Sequence, residues 1–135
     1  QCSRRGDVLK VWVAWQRYGT AGFAAMYELL CDLTVALHAR LEAHPAFQPV
    51  HEPQGNILCF RWVGTGTRSP AELDALTVAL RDAYNRSGEG WITATVLDGH
   101  PVLRVTIQNP RTTEAHLDRL VAGLDRLGQA LDAGR

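Results

Sequence analysis

Apolar residues recur along this chain at two different spacings. Across residues 21–43, Met26, Leu30, Leu33, Leu37 and Leu41 follow 4-3-4-4 steps, one stripe of a 3.6-residue period. The spacing predicts a long helix that His44-Pro45 ends, because the residue before proline is pushed out of the α region. Ser69-Pro70-Ala71-Glu72 predicts a helix start: a serine cap, proline at the first position and glutamate three residues after the cap. Leu73, Leu76, Leu80 and Tyr84 continue that stripe, and Gly88 closes it. A third stripe, Leu117, Leu120, Leu124, Leu127 and Leu131, predicts a helix from Thr112 or Thr113 to Asp132. Residues 56–63, 91–97 and 102–108 instead read as strands, and 46–52 as a short edge strand whose pairing Pro49 limits. Residues 7–18, "DVLKVWVAWQRY", are too rich in apolar side chains for a one-sided surface helix. They fit a short helix, or an extended-to-helix segment, buried on more than one side. Trp12 and Trp15, so close together, also point to a missing partner surface. Gly19 breaks the pattern, and Thr20 is placed to cap the next helix.

The resulting order is α-α-β-β-α-β-β-α. Asp98-Gly99 favours a hairpin between the last two strands, although Pro101 counts against a strict two-residue turn. Hairpin connections imply an antiparallel sheet with amphipathic helices on one face, an α+β domain. If Leu97 pairs with His100, strand alternation sorts the hairpin. Leu103, Val105, Ile107, Ile92, Ala94 and Val96 share the core face. Val102, Arg104, Thr106, Gln108, Trp91, Thr93 and Thr95 share the other, with Thr93 opposite Arg104. A permanent cation inside a β pattern has two readings. Arg104 is either a solvated arginine on an open sheet face or a clamp for a carboxylate, which planar guanidinium holds with two parallel hydrogen bonds. Pattern alone leaves both open.

Composition narrows the classes. The 135 residues suit one domain with a single core. Fourteen basic residues balance fourteen acidic ones, so no electrostatic grip on nucleic acid or an anionic membrane is expected. No apolar run is expected to approach the roughly 20 residues that span a bilayer. The three cysteines, Cys2, Cys31 and Cys59, are odd in number with no CxxC, which suits reduced thiols in the cytoplasm. His38, His44, His51, His100 and His116 lack metal-ligand spacing and read as surface or turn histidines. No metal site is expected. Gly64-Thr65-Gly66 lacks the strand–turn–helix setting of a phosphate loop, and mid-strand Cys59 suits a small core residue better than a nucleophile. The chain begins at Gln1 and holds one lysine, Lys10. It is expected to be a piece of a longer protein.

Three separated stretches carry a resemblance. "CSRRGDVLKVWVAWQRYGTAGF" has two arginines, then "LK-W", an apolar stretch and a glycine turn. "NILCFRWV" fits an "N-x-x-CFR" strand. "TVLDGHPVLRVTIQNPRTTEAHLDRL" fits a hairpin, an "NP-x-TT" corner and a closing helix. In collinear order from Gln1 to about Gln129, the chain resembles the C-terminal part of the group II pyridoxal-phosphate-dependent amino-acid decarboxylases. These act on aromatic amino acids, histidine, glutamate and 2,4-diaminobutyrate.

The resemblance implies one C-terminal small domain over 1–135, of the aspartate-aminotransferase-type fold (fold type I), with a helical lead-in at 1–44 and a sheet-and-helix core at 46–132. It implies a cofactor, pyridoxal 5'-phosphate, whose ring absorbs electrons as an amino acid loses its α-carboxylate as carbon dioxide. The Schiff-base lysine belongs to a large N-terminal domain. Lys10 matches the "LK-W" lysine instead, so no residue of this chain is assigned to catalysis or to the cofactor. The resemblance gives Arg104 a substrate carboxylate, as in glutamate decarboxylases, and lines the substrate pocket with Ser3, with Cys2 beside it. Arg4 and Arg5 fall at the domain junction or the cofactor region. The expected partners are the large domain, an amino-acid substrate and a second subunit in a homodimer. The alternative is a non-catalytic α+β module for small-molecule binding or dimerisation.

Overall fold

The computed structural model describes residues 6–134. Its elements are α1 (Asp7–Glu42), β1 (Phe47–Pro49), β2 (Ile57–Trp62), α2 (Pro70–Ser87), β3 (Thr93–Leu97), β4 (His100–Thr106) and α3 (Glu114–Ala133). The two expected N-terminal helices form one helical run with an interruption. Gly19 sits at φ 62° and ψ −176°, outside helical geometry and in a region that suits glycine. The break therefore falls where the apolar pattern changes.

The four strands lie in the order β1-β2-β4-β3, all antiparallel. β1 is an edge strand, and its Pro49 pairs opposite Phe60. The turn between β3 and β4 is the strict two-residue form. Asp98 and Gly99 both take positive φ (50° and 83°), and Leu97 pairs with His100. Pro101 does not disturb it and pairs opposite Val96. β3 starts two residues later than expected, and β4 spans 100–106 rather than 102–108.

Helix starts follow the local chemistry. The Ser69 N–H donates to the Glu72 carboxylate at 2.8 Å, and Ser69 Oγ accepts from the Glu72 N–H, a complete capping box. Gly88 closes α2 in the left-handed conformation. At α3 the residue reaching back is a histidine: His116 Nδ1 accepts from the Thr113 N–H at 3.0 Å.

Leu58, Phe60 and Leu103 of the sheet and Leu37, Leu41, Leu80 and Leu124 of the helices are fully enclosed, forming one core with Leu33, Leu76 and Leu117. Each contributes about 2 kcal/mol by leaving water. α3 closes over Trp62. A Cβ on Gly128 would lie 2.4 Å from the indole, and Trp62 Nε1 donates to Asp125 Oδ1 at 2.8 Å.

Four expectations are corrected. Residues 7–18 are helical, but Val8, Leu9, Val11, Trp12 and Val13 are each more than half exposed rather than buried on several sides. Across the Gly19 break, Trp15 stacks on Phe23 and Tyr18 meets the same ring edge-on, leaving the first two turns of this arm bare among the described residues. By length and composition alone α1 is also long and apolar enough to cross a bilayer, with a mean hydropathy of 1.3 in its most apolar window. Its break and its leucine stripe inside the core mark it instead as a core helix with an apolar extension. Val96, expected on the core face, is 63% exposed, because it stands on the edge strand near the turn. His38 is buried on α1, with Glu42 and Glu52 carboxylates at 4.0 and 3.8 Å, and so is no surface histidine.

Candidate functional site

Register places a row of three side chains on the face of the sheet away from the core. Cys59 of β2 pairs with Arg104 of β4, which pairs with Thr93 of β3. Thr93 Oγ1 donates to the Arg104 carbonyl oxygen at 2.9 Å, tying the edge strand to the arginine's backbone. The Arg104 guanidinium makes no ion pair among the described residues, and its Nε is buried without a hydrogen-bond partner. Such an atom costs free energy unless something binds there. Arg104 faces an open cavity of about 330 Å³ bounded by Trp91, Thr93, Thr106, Gln108 and Leu120. A fixed cation, a hydroxyl, an amide and an indole thus border one space that a carboxylate fits.

The rest of this face is less solvated than strand alternation alone implies. Cys59 and Val102 are buried although neither belongs to the contiguous core. Burial pushes the Cys59 thiol pKa up, and the Arg104 charge pulls it partly back. The Cys59 N–H donates to His51 Nε2 at 3.1 Å, while His51 Nδ1 lies 2.9 Å from the Glu52 carbonyl. Together these contacts assign the proton to Nδ1.

A second cluster, with no signal in sequence spacing, closes the end of the sheet. Asp74 of α2 holds Arg61 Nη2 at 3.0 Å and His100 Nδ1 at 2.9 Å. Thus Arg61 is neutralised and Arg104, whose partner Cys59 lies two residues from Arg61 on β2, is not. A larger cavity, about 610 Å³ between α1 and α3, lies elsewhere. Both its arginines are occupied: Arg126 pairs with Glu89, and Arg40 bonds Asp118 at 2.7 Å and Glu114 at 2.6 Å, which together raise the Arg40 pKa. The unpaired guanidinium, not the larger volume, marks the candidate site.

Of the site residues expected from sequence, Arg104 is placed as described, whereas Cys2 and Ser3, with Arg4 and Arg5, lie outside the described residues. The one lysine, Lys10, is exposed on the first turns of α1 and pairs with Asp7 at 2.8 Å. It lines neither cavity, so residues of this chain do not fit covalent attachment of pyridoxal phosphate. No group of three or more histidine, cysteine or acidic side chains able to hold a metal occurs among the described residues.

The first 63 residues match the family model described as the pyridoxal-dependent decarboxylase conserved domain. Solved structures extend the likeness over nearly the whole chain. The glutamate decarboxylase domain of a diaminobutyrate-pyruvate transaminase and L-2,4-diaminobutyrate decarboxylase from Vibrio parahaemolyticus is 28% identical, with a TM-score of 0.81 over 94% of this chain. Mouse CSAD is 26% identical, with a TM-score of 0.85 over 95%. An Oryza sativa TDC structure with PLP and tryptamine, at 19% identity and a TM-score of 0.82, shares the fold. The antiparallel sheet with its helices is thus the α+β architecture of pyridoxal-phosphate decarboxylase domains. These likenesses agree with the resemblance of the sequence to the group II pyridoxal-phosphate-dependent decarboxylases. The chain spans only 27%, 29% and 26% of the length of these three structures.

Proposed function

We propose that this chain is the C-terminal small domain of a pyridoxal-phosphate-dependent L-amino-acid decarboxylase, and that Arg104 receives a carboxylate of the substrate. The single observation that carries this reading is the unpaired Arg104 guanidinium, with its buried, unbonded Nε, facing a cavity. In a site closed off from water by a neighbouring domain, a bidentate arginine–carboxylate pair fixes the orientation of a small substrate. The Thr93 hydroxyl holds the backbone beneath it. Ser3 and Cys2 are assigned to the same pocket by resemblance alone. The catalytic lysine and the cofactor belong to the large domain of the full-length protein. The exposed apolar arm, Val8 to Trp15, supports docking against a partner surface, which we assign to that large domain; a cytoplasmic homodimer is the expected assembly.

The test is release of carbon dioxide by the full-length protein across a panel of amino acids, with Arg104→Ala and Arg104→Lys variants. Loss of the guanidinium raises KM or lowers kcat/KM by about a hundredfold, a charge-assisted bond or two. The cofactor's absorbance stays unchanged. Unaltered kcat and KM in Arg104→Ala would overturn the clamp, and absence of release from every amino acid would overturn the decarboxylase reading.

A further inference from the structure

We infer that the cavity between the last turns of α2 and the edge strand β3 binds a small planar carboxylate, at a site distinct from that of Arg104. This cavity, about 420 Å³, is bordered by Arg81, Asp82, Arg86, Trp91, Thr93 and Ala94. Four features fit that ligand class.

Among the described residues Arg81 carries the other buried side-chain nitrogen without a hydrogen-bond partner, its Nε, while its Nη2 is held by Asp82 at 2.7 Å. Arg86, exposed near the helix end, makes no ion pair or hydrogen bond among the described residues. Two arginines against one aspartate leave a single net positive charge, which suits a monoanion rather than a doubly charged phosphate. Arg86, in the last turn of α2, sits at the negative end of the helix dipole, where a cation is favoured without a ligand.

The fourth feature is the indole of Trp91. It is 78% exposed and makes no ring contact among the described residues. Its backbone is nonetheless fixed. Asn85 spends both ends of its amide on Ile92, accepting from the N–H at 2.8 Å and donating to the carbonyl at 3.0 Å. A rigid backbone carrying a bare indole beside two guanidinium groups offers a stacking surface next to a carboxylate-binding fork. An aromatic or otherwise flat acid uses both, and an aliphatic acid only one. Trp91 and Thr93 also border the Arg104 cavity, so the two sites share a wall.

Benzoate is the probe, titrated into the full-length protein carrying 5-fluorotryptophan, with the Trp91 resonance assigned by Trp91→Phe. Benzoate shifts that resonance saturably, and acetate and inorganic phosphate bind about tenfold more weakly. By calorimetry the Arg81→Gln/Arg86→Gln double variant loses about tenfold in affinity, and Arg104→Gln leaves affinity within about twofold. An unchanged melting temperature in each variant shows that the fold is kept. Full affinity in the double variant, or affinity lost with Arg104 and retained without Arg81 and Arg86, would overturn the proposal; so would phosphate binding as tightly as benzoate.

Discussion

Leu103 and Arg104 are neighbours on β4, yet one is fully enclosed and the other faces a cavity with part of its guanidinium unbonded. The same contrast runs across the sheet. On one face Leu58, Phe60 and Leu103 meet leucine stripes from all three helices. On the other, Cys59, Arg61, Thr93 and Arg104 meet one another, an aspartate and open space. Strand parity therefore divides labour residue by residue. Stability resides on one face, and the chemistry that a fold must leave unfinished until a ligand arrives resides on the other.

The largest effect that tests this division is on the core face. Leu103→Ala lowers unfolding free energy by about 3 kcal/mol in urea titration, because Leu103 is fully enclosed and its truncation leaves a cavity. A loss below about 1 kcal/mol breaks the comparison. Gly128→Ala comes next, at about 2 kcal/mol, since the new methyl must push Trp62 off its seat against α3. Asp74→Ala is smaller, about 1 kcal/mol, because its partners at the sheet end are partly solvated. Arg104→Gln leaves stability within about 0.5 kcal/mol. A larger loss would place that arginine among the supports rather than the ligands. The smallest effect is kinetic. Burial raises the Cys59 pKa, so its thiol stays protonated at pH 7 and iodoacetamide labels it more slowly than half-buried Cys31, read by peptide mapping. Arg104 favours the thiolate. Removing its charge raises that pKa further and slows labelling again.

The sign for stability follows from the same shift. A thiol whose folded pKa lies above its unfolded one contributes fully below the unfolded pKa. That contribution is lost as pH rises through the folded value.

Strand parity and helix period made most of this legible in advance. The register Leu97 to His100 followed from Asp98-Gly99, whose two positive-φ residues allow one turn geometry. The pairing of Thr93 with Arg104 followed from that register. Capping at Ser69 was legible because its partner, Glu72, is three residues away. What stayed hidden depends on cover rather than period. Alternation assigned Val102 to the second face but not its enclosure there, and Val96 to the core face but not its exposure at the edge. Asp74 reaches Arg61 and His100 across 13 and 26 positions, a meeting that no local pattern encodes. The Arg81–Arg86–Trp91 cavity was hidden likewise, since it needs the end of α2 beside the edge strand.

The strand order also bears on how the domain folds. β3 and β4 meet through a two-residue turn, whereas the sheet's central pair joins Ile57 to Thr106 across everything between. Closing that span costs chain entropy which the hairpin does not face. The hairpin therefore forms early and offers β4 as the template on which β2 docks late. In pulsed hydrogen exchange during refolding, the amides of residues 93–106 gain protection before those of 57–62. Arg104 is then held against Thr93 of β3 before its other neighbour, Cys59 of β2, has arrived.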